Sequence, residues 1–351
     1  MVLLKRKTKE IVCGNVMIGG NNPITVQSMT TTDTRDVDST VNQIKELEDV
    51  GCDIIRVAVP DMEAATKLGQ IKSKINIPLV ADIHYDYRLA MESIDQGVDG
   101  LRINPGNIGS LERVKAIVEK AKERSLKIRI GVNGGSLEKD LLEKYKSPTP
   151  EALVESAMRH IKLLEDMDFD NIAISLKSSD IYTTIRAYEL MSTKVDYPLH
   201  VGITESGSVK RGTIKSSIGI GYLLINGIGD TIRVSLTGDP KEEVFVGKEI
   251  LKSLGLIREG VKIISCPTCG RCNINLIDIV SQVELKTEKL DKDITVAIMG
   301  CSVNGPGEAK EADIGIAGGK NEGLFFRKGN IVRKIKSENL VDELIDEIRK
   351  F

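Results

Sequence analysis

From residue 24 to residue 255, short apolar runs rich in Val and Ile alternate with polar loops and with stretches whose apolar positions return every three or four residues. The runs are Ile24–Ser28, Asp53–Val59, Pro78–Asp82, Gly100–Asn104, Lys127–Asn133, Asn171–Lys177, Leu199–Glu205 and Thr231–Leu236. Each has the length of a strand. Between the first two, Val41, Ile44, Leu47 and Val50 recur on one face and Gly51 ends the pattern, as an amphipathic helix closed by a C′ glycine would. The connection after the fifth run is longer and holds Pro148 and Pro150, which predicts an extra short helix or loop. Each crossover helix returns the chain in the same direction, so strands alternating with helices predict a parallel sheet. Eight such units fit a closed (β/α)8 TIM barrel better than an open doubly wound sheet, and no G-x-G-x-x-G follows the first run.

After about residue 258 the rhythm changes. Ile274–Val283 reads as a helix, Ile294–Met299 and Asp313–Ala317 as strands, and Leu324–Ile335 as a hairpin turning at Lys328-Gly329-Asn330. A last helix, Ser337–Phe351, carries Leu340, Leu344, Ile345 and Ile348 on one face. The expected division is therefore a barrel over residues 1–257 followed by a small α/β domain over 258–351.

Charge near the end of a barrel strand is costly unless it faces the open mouth, where barrel enzymes carry their chemistry. Here the strand ends carry Arg56, Asp82 with His84, Arg102 with Asn104, Arg129 with Asn133, Ser175 with Lys177, Thr204 with Glu205, and Arg233 with Ser235. A lone arginine so placed is most simply a salt-bridged structural residue. Five cations at equivalent positions instead point to a strongly anionic small molecule such as a diphosphate, because the guanidinium fork matches phosphate oxygens. Asp82, His84 and Glu205 are the candidate proton-transfer groups. Structural readings stand beside them: a hydrogen-bonded imidazole for His84, and an ion-pair partner of a rim arginine for Glu205. His160, on a predicted helix, reads as a surface or packing residue, and His200, opening a strand away from the mouth, as structural.

Composition narrows the class further. With 49 basic and 51 acidic residues the net charge is −2, and charges of both signs are spread along the chain, so no polybasic nucleic-acid arm exists. Seven Tyr, five Phe and no Trp leave little for base stacking. The longest uncharged stretch, Ser216 to Gly229, is 14 residues and too short for a membrane span. No hydrophobic signal region follows Lys5, Arg6, Lys7 and Lys9, which leads to an expected cytoplasmic location.

The six cysteines are too few for a secreted disulfide framework, and four of them, Cys266, Cys269, Cys272 and Cys301, fall near the C-terminus. A C-x2-C spacing lets two thiolates converge on one metal centre. Cys301 lies in the glycine-rich stretch Gly300-Cys-Ser-Val-Asn-Gly-Pro-Gly-Glu308, whose backbone can approach an inorganic core and offer N–H donors to its sulfurs. An iron–sulfur cluster suits this arrangement. A structural zinc would need Cys272 and Cys301 as its remaining ligands, and C-x2-C-x2-C by itself also allows all-cysteine ligation of a four-iron cluster.

Together, Ser265-Cys-Pro-Thr-Cys-Gly-Arg271, Gly300-Cys-Ser-Val-Asn-Gly-Pro-Gly-Glu308, Gln27-Ser-Met-Thr-Thr-Thr32 and Ala81-Asp-Ile-His84 resemble the bacterial 4-hydroxy-3-methylbut-2-en-1-yl diphosphate synthase family over essentially the whole chain. The resemblance implies an oxidoreductase of the non-mevalonate isoprenoid pathway. Such an enzyme reduces and opens 2-C-methyl-D-erythritol 2,4-cyclodiphosphate at a [4Fe–4S] cluster, with ferredoxin or flavodoxin as electron donor. It further implies that Cys266, Cys269, Cys301 and Glu308 hold the cluster and that Arg56, Arg102, Arg129, Lys177, Arg233 and Ser235 hold the diphosphate. Asn104, Asn133, Asp82 and His84 would stand nearby, and Glu205 would be the candidate proton donor. The family's homodimer, in which the cluster domain of one chain covers the barrel of the other, is expected by the same resemblance. Cys272 departs from the family pattern. The competing classes are a redox-inert barrel enzyme, such as an aldolase or pterin synthase, with an appended structural zinc domain, and a binding module for a nucleic acid or protein.

Overall fold

A computed structural model describes residues 5–257, 260–288, 290, 292–302, 307 and 309–351. The chain falls into two compact units that divide between Leu256 and Ile257.

The first unit opens with a hairpin, β1 (Glu10–Cys13) and β2 (Val16–Gly19), turned at Gly14, whose φ of 59° lies in the left-handed region. Eight strands follow: β3 (Thr25–Met29), β4 (Ile54–Ala58), β5 (Leu79–Asp82), β6 (Gly100–Ile103), β7 (Lys127–Asn133), β8 (Ile172–Lys177), β9 (His200–Val201) and β10 (Thr231–Ile232). All pair in parallel, in the order β8-β7-β6-β5-β4-β3-β10-β9, and a parallel bridge from Ile174 to Leu199 closes the ring. The (β/α)8 barrel is therefore as expected. Side chains of β1 and β2 (Ile11, Cys13, Ile18) pack against Ile54, Val80 and Ala173, near the N-terminal ends of their strands, so the hairpin seals the end opposite the mouth.

The helices form where the pattern places them. In Val37–Asp49, Asp36 caps the first turn by accepting from Ser39 N, Val41, Ile44 and Leu47 are buried, and Gly51 takes φ 88° beyond the last turn. Val50 differs: it is an exposed C-cap residue, not part of the buried face. The proline-bearing connection contains two helices, Lys139–Tyr145 and Pro150–Glu165. Two expected strands are much shorter than their apolar runs. β9 ends at Val201, Gly202 then passes so close to the Arg233 carbonyl that a Cβ would lie 2.3 Å from it, and the chain turns out through Glu205 at φ 52°. Among the described residues no helix is long and apolar enough to cross a membrane.

The second unit is a five-stranded sheet, β11 (Val261–Ser265), β12 (Ile294–Met299), β13 (Ile314–Ala317), β14 (Glu322–Arg327) and β15 (Asn330–Lys336), paired in that order. The first three strands run parallel and the last two add antiparallel. Alternation along β12 sends Val296 and Ile298 to the face covered by helices Leu276–Thr287 and Leu340–Arg349, and Ala297 and Met299 to the other face. Phe325, fully buried, sits at the centre of the helix-covered face. Phe325→Ala should therefore cost this unit about 3–5 kcal/mol, the usual range for emptying a buried aromatic position. Urea unfolding checks this, and a loss below about 1 kcal/mol would contradict the assigned core.

Candidate functional site

Period-two alternation builds the barrel mouth. Along β7, Ile128, Ile130 and Val132 are apolar and buried, whereas the intervening Lys127, Arg129, Gly131 and Asn133 share the other face. Parallel register then sets Asp82 beside Arg102, Arg102 beside Arg129, Gly131 beside Ser175 and Asn133 beside Lys177. Met29 stands beside Arg56 in the same way. Gly131 is required by this layer: a Cβ there would lie 2.5 Å from Arg102 Nε.

Five cations thus converge, and four of them, Arg56, Arg102, Arg129 and Lys177, are no more than 8% exposed. Two carboxylates partly offset them. Asp82 meets Arg56 Nε at 3.6 Å and accepts from Arg102 Nη1 at 3.3 Å, while His84 Nε2 lies 3.1 Å from Arg102 Nη1. The same His84 Nε2 lies 3.6 Å from Asp82 Oδ1, so the imidazole stands between the arginine and the carboxylate. Glu243, on helix Pro240–Ser253, pairs with Arg233 at 3.4 Å. Arg129 donates to the neutral Gln27 amide oxygen at 2.6 Å, and Arg56 donates to Met29 Sδ at 3.3 Å and 3.1 Å. Among the described residues, neither Arg129 nor Lys177 has a carboxylate within ion-pair distance.

The charge states follow from this geometry. Burial, with neighbouring cations adding to it, pushes Lys177 and Arg129 well below their ordinary values. Arg56 is pushed down to about 10, burial outweighing the help of Asp82. Burial would raise the Asp82 carboxyl, but Arg56, His84 and Arg102 together hold it well below the usual carboxylate range. The mouth is a desolvated cation cluster short of negative charge, and an oxygen-rich dianion is the ligand that offsets it best.

Of the other residues singled out from sequence, Asn104 is buried and Asn133 half-buried at the same strand ends, and Ser235 is half-buried just past β10. Glu205 stands apart: it is exposed on the loop beyond β9, in a left-handed conformation that costs a non-glycine residue about 1–3 kcal/mol and is a recurrent mark of functional loops. His160 is buried 3.0 Å from Glu138, and His200 opens β9 fully buried. Gln27, Met29 and Glu243 are contributors that the sequence reading did not assign. Gln27 and Met29 lie inside a quoted motif, and a search for neutral partners of the rim arginines could have found them.

In the second unit, β11 and β12 run parallel with Ser265 opposite Ile298, so both end at one sheet edge. Cys266 follows one strand and Gly300-Cys301 the other. Gly300 N donates to Cys266 Sγ at 3.2 Å, and a Cβ on Gly300 would lie 2.6 Å from Cys272 Sγ. Cys272 N donates to the Cys269 carbonyl at 2.9 Å, and its thiol donates to the Ile274 carbonyl at 3.2 Å. Cys269 is exposed, with its thiol held below the ordinary value chiefly by the Arg271 backbone N–H. All four cysteines are free thiols. Among the described residues no three His, Cys, Asp or Glu side chains are gathered as a metal site, and Glu308 lies outside the described residues. The donor chemistry nevertheless fits an iron–sulfur group: soft sulfur ligands on one edge, with backbone N–H donors already directed at two of them.

Comparison with known proteins agrees with both halves of this description. Residues 8–248 match the GcpE TIM-barrel domain and residues 262–350 the GcpE protein C-terminal domain. The chain is 62% identical over 344 residues to the "4-hydroxy-3-methylbut-2-en-1-yl diphosphate synthase (flavodoxin)" of Ruminiclostridium cellulolyticum, covering 98% of each chain. It is also 62% identical to the protein of the same name from Caldanaerobacter subterraneus, covering 100% of this chain and 99% of that one. Among solved structures, the dihydropteroate synthase of Yersinia pestis shares the barrel at a TM-score of 0.51 and 12% identity, over 70% of this chain and 98% of that one, a likeness of fold alone. The two domain matches and the full-length relatives together make this chain a member of the GcpE family.

Proposed function

We propose that the chain catalyses the reductive ring opening of 2-C-methyl-D-erythritol 2,4-cyclodiphosphate to 4-hydroxy-3-methylbut-2-en-1-yl diphosphate in isoprenoid precursor synthesis, taking two electrons and releasing water. The observation that carries this reading is the five-cation barrel mouth, four of whose cations are buried, which suits a diphosphate. The relatives' names add the product and flavodoxin as electron donor.

In this mechanism Arg129 and Lys177, which meet no carboxylate among the described residues, bind the diphosphate, and the forks of Arg56, Arg102 and Arg233 close around it. Asp82 keeps two of those forks oriented, and His84 packs its Nε2 against one of them and against Asp82. Asn104, Asn133 and Ser235 contribute neutral donors. Binding discharges the cation cluster and excludes water from the reacting carbons. Glu205, exposed on the loop beyond β9, gives the proton that leaves with the hydroxyl as water. Cys266, Cys269, Cys301 and Glu308 would hold an iron–sulfur cluster of the [4Fe–4S] type, which when bound supplies the electrons. A homodimer in the cytoplasm completes the reading.

Iron and acid-labile sulfide should each reach about four per chain on protein purified and reconstituted without oxygen, the content of a [4Fe–4S] cluster. Stoichiometric zinc without sulfide would overturn the assignment. Glu308→Ala should keep the fold but lower iron retention and turnover, and full activity in that variant would remove Glu308 from the ligand set.

Lys177→Met should act in opposite directions on stability and binding. Replacing a buried cation that meets no carboxylate among the described residues by an apolar side chain of similar length should raise stability, while the substrate KM should rise roughly tenfold to a hundredfold. Thermal melts and steady-state kinetics read the two effects, and an unchanged KM would take Lys177 out of the diphosphate site.

A further inference from the structure

We infer that Glu243 is a positioning residue for the diphosphate, orienting Arg233 and the backbone that carries Ser235. It stands in the first turn of helix Pro240–Ser253, where its neighbour Glu242 is exposed, as acidic residues at helix N-termini usually are. Glu243 instead is 5% exposed, and both its oxygens are engaged. Oε1 accepts from Leu236 N at 3.0 Å and from Arg233 Nη2 at 3.5 Å. Oε2 accepts from Ser28 Oγ at 3.2 Å and from Arg233 Nε and Nη2 at 3.4 Å each.

Three residues from two segments, β3 and the connection after β10, are therefore tied to one carboxylate. Ser28 belongs to β3, beside Met29, whose Sδ lies 3.9 Å from Arg233 Nη1. Arg233 follows β10, and Leu236 N fixes the chain immediately after Ser235. The barrel ring pairs β3 with β10, and β10 has only two residues in the ladder; beyond it the backbone is held where Arg233 N donates to the Val201 carbonyl at 2.9 Å and Thr237 N to the Gly207 carbonyl at 2.9 Å, and the stretch between them carries Ser235. Glu243 restrains that stretch by gripping Arg233 on one side of Ser235 and Leu236 N on the other.

Taken as a charge alone, a carboxylate inside an anion site works against binding, and this makes the inference sharply testable. If Glu243 mattered only as a charge, neutralising it would leave the mouth more positive and tighten the hold on a diphosphate. If it positions Arg233 and Ser235, neutralising it weakens binding despite that electrostatic gain, because misaligned forks lose bidentate contact.

The inference rests on the reading of the mouth as a diphosphate site, and the experiment separates the two. Calorimetric affinity for 2-C-methyl-D-erythritol 2,4-cyclodiphosphate and steady-state KM and kcat are measured on the reconstituted wild type, Glu243→Gln and Ser28→Ala. Glu243→Gln should weaken binding and raise KM by roughly tenfold with kcat held within about threefold. Ser28→Ala, which removes one hydrogen bond and no charge, should weaken binding by a few-fold and decides the matter if the first variant fails to fold. Wild type that binds the cyclodiphosphate, with variants that match it or bind more tightly, would overturn the role of Glu243. Failure of the wild type itself to bind would instead overturn the reading of the mouth.

Discussion

Repulsion among the buried cations of the barrel mouth is the constraint to which much of the first unit answers. Parallel register lines up the C-terminal halves of successive strands, so charges at equivalent positions must meet. Asp82 offsets Arg56 and Arg102, Glu243 offsets Arg233, and Gly131 leaves room for the Arg102 guanidinium to lie across β7. Among the described residues Arg129 and Lys177 meet no carboxylate, and burial beside other cations disfavours their charged forms. Aliphatic packing around the strands and the hairpin that seals the opposite end hold these cations in place. A site strained in the free protein and relieved by its ligand accords with the usual opposition between function and stability.

The second unit solves a different problem with the same parallel geometry. Strands β11 and β12 end together, so cysteines more than thirty positions apart in sequence leave the sheet at one edge. Gly300 sits between Cys266 and Cys272 where no side chain fits, and its N–H is directed at sulfur. Soft ligands and backbone donors on a firm sheet edge are the conditions under which a protein tunes an iron–sulfur group. Cation cluster and thiol edge divide the proposed chemistry into anion binding and electron supply.

Much of this was legible in the chain. The alternation of Val- and Ile-rich runs with amphipathic stretches led to the barrel, and β12 spans the very residues its apolar run predicts. The rim cations stood out because charge at a strand end has few places to go. Other features escaped. The alternation Ile11-Val12-Cys13 before Gly14-Asn15 is a hairpin signal, but it precedes the first long apolar run and was not read as strand. β11 is a five-residue run directly before Cys266, and no element is expected there from the sequence. Glu243 was hidden for a physical reason: an acidic residue in a first helical turn is unremarkable in sequence, and only its burial beside Ser28 and Arg233 distinguishes it from Glu242. Glu205 was legible as a residue but not as an exposed, left-handed one, because an apolar run does not reveal where pairing stops.

Conversion of 2-C-methyl-D-erythritol 2,4-cyclodiphosphate by the reconstituted enzyme and reduced flavodoxin under strict anaerobiosis, followed by phosphorus NMR, tests the central claim most directly. The account predicts that the two signals of the cyclic diphosphate give way to those of the linear diphosphate product, one product for every two electrons consumed. Retention of the cyclic substrate by a cluster-loaded, correctly folded enzyme would contradict it.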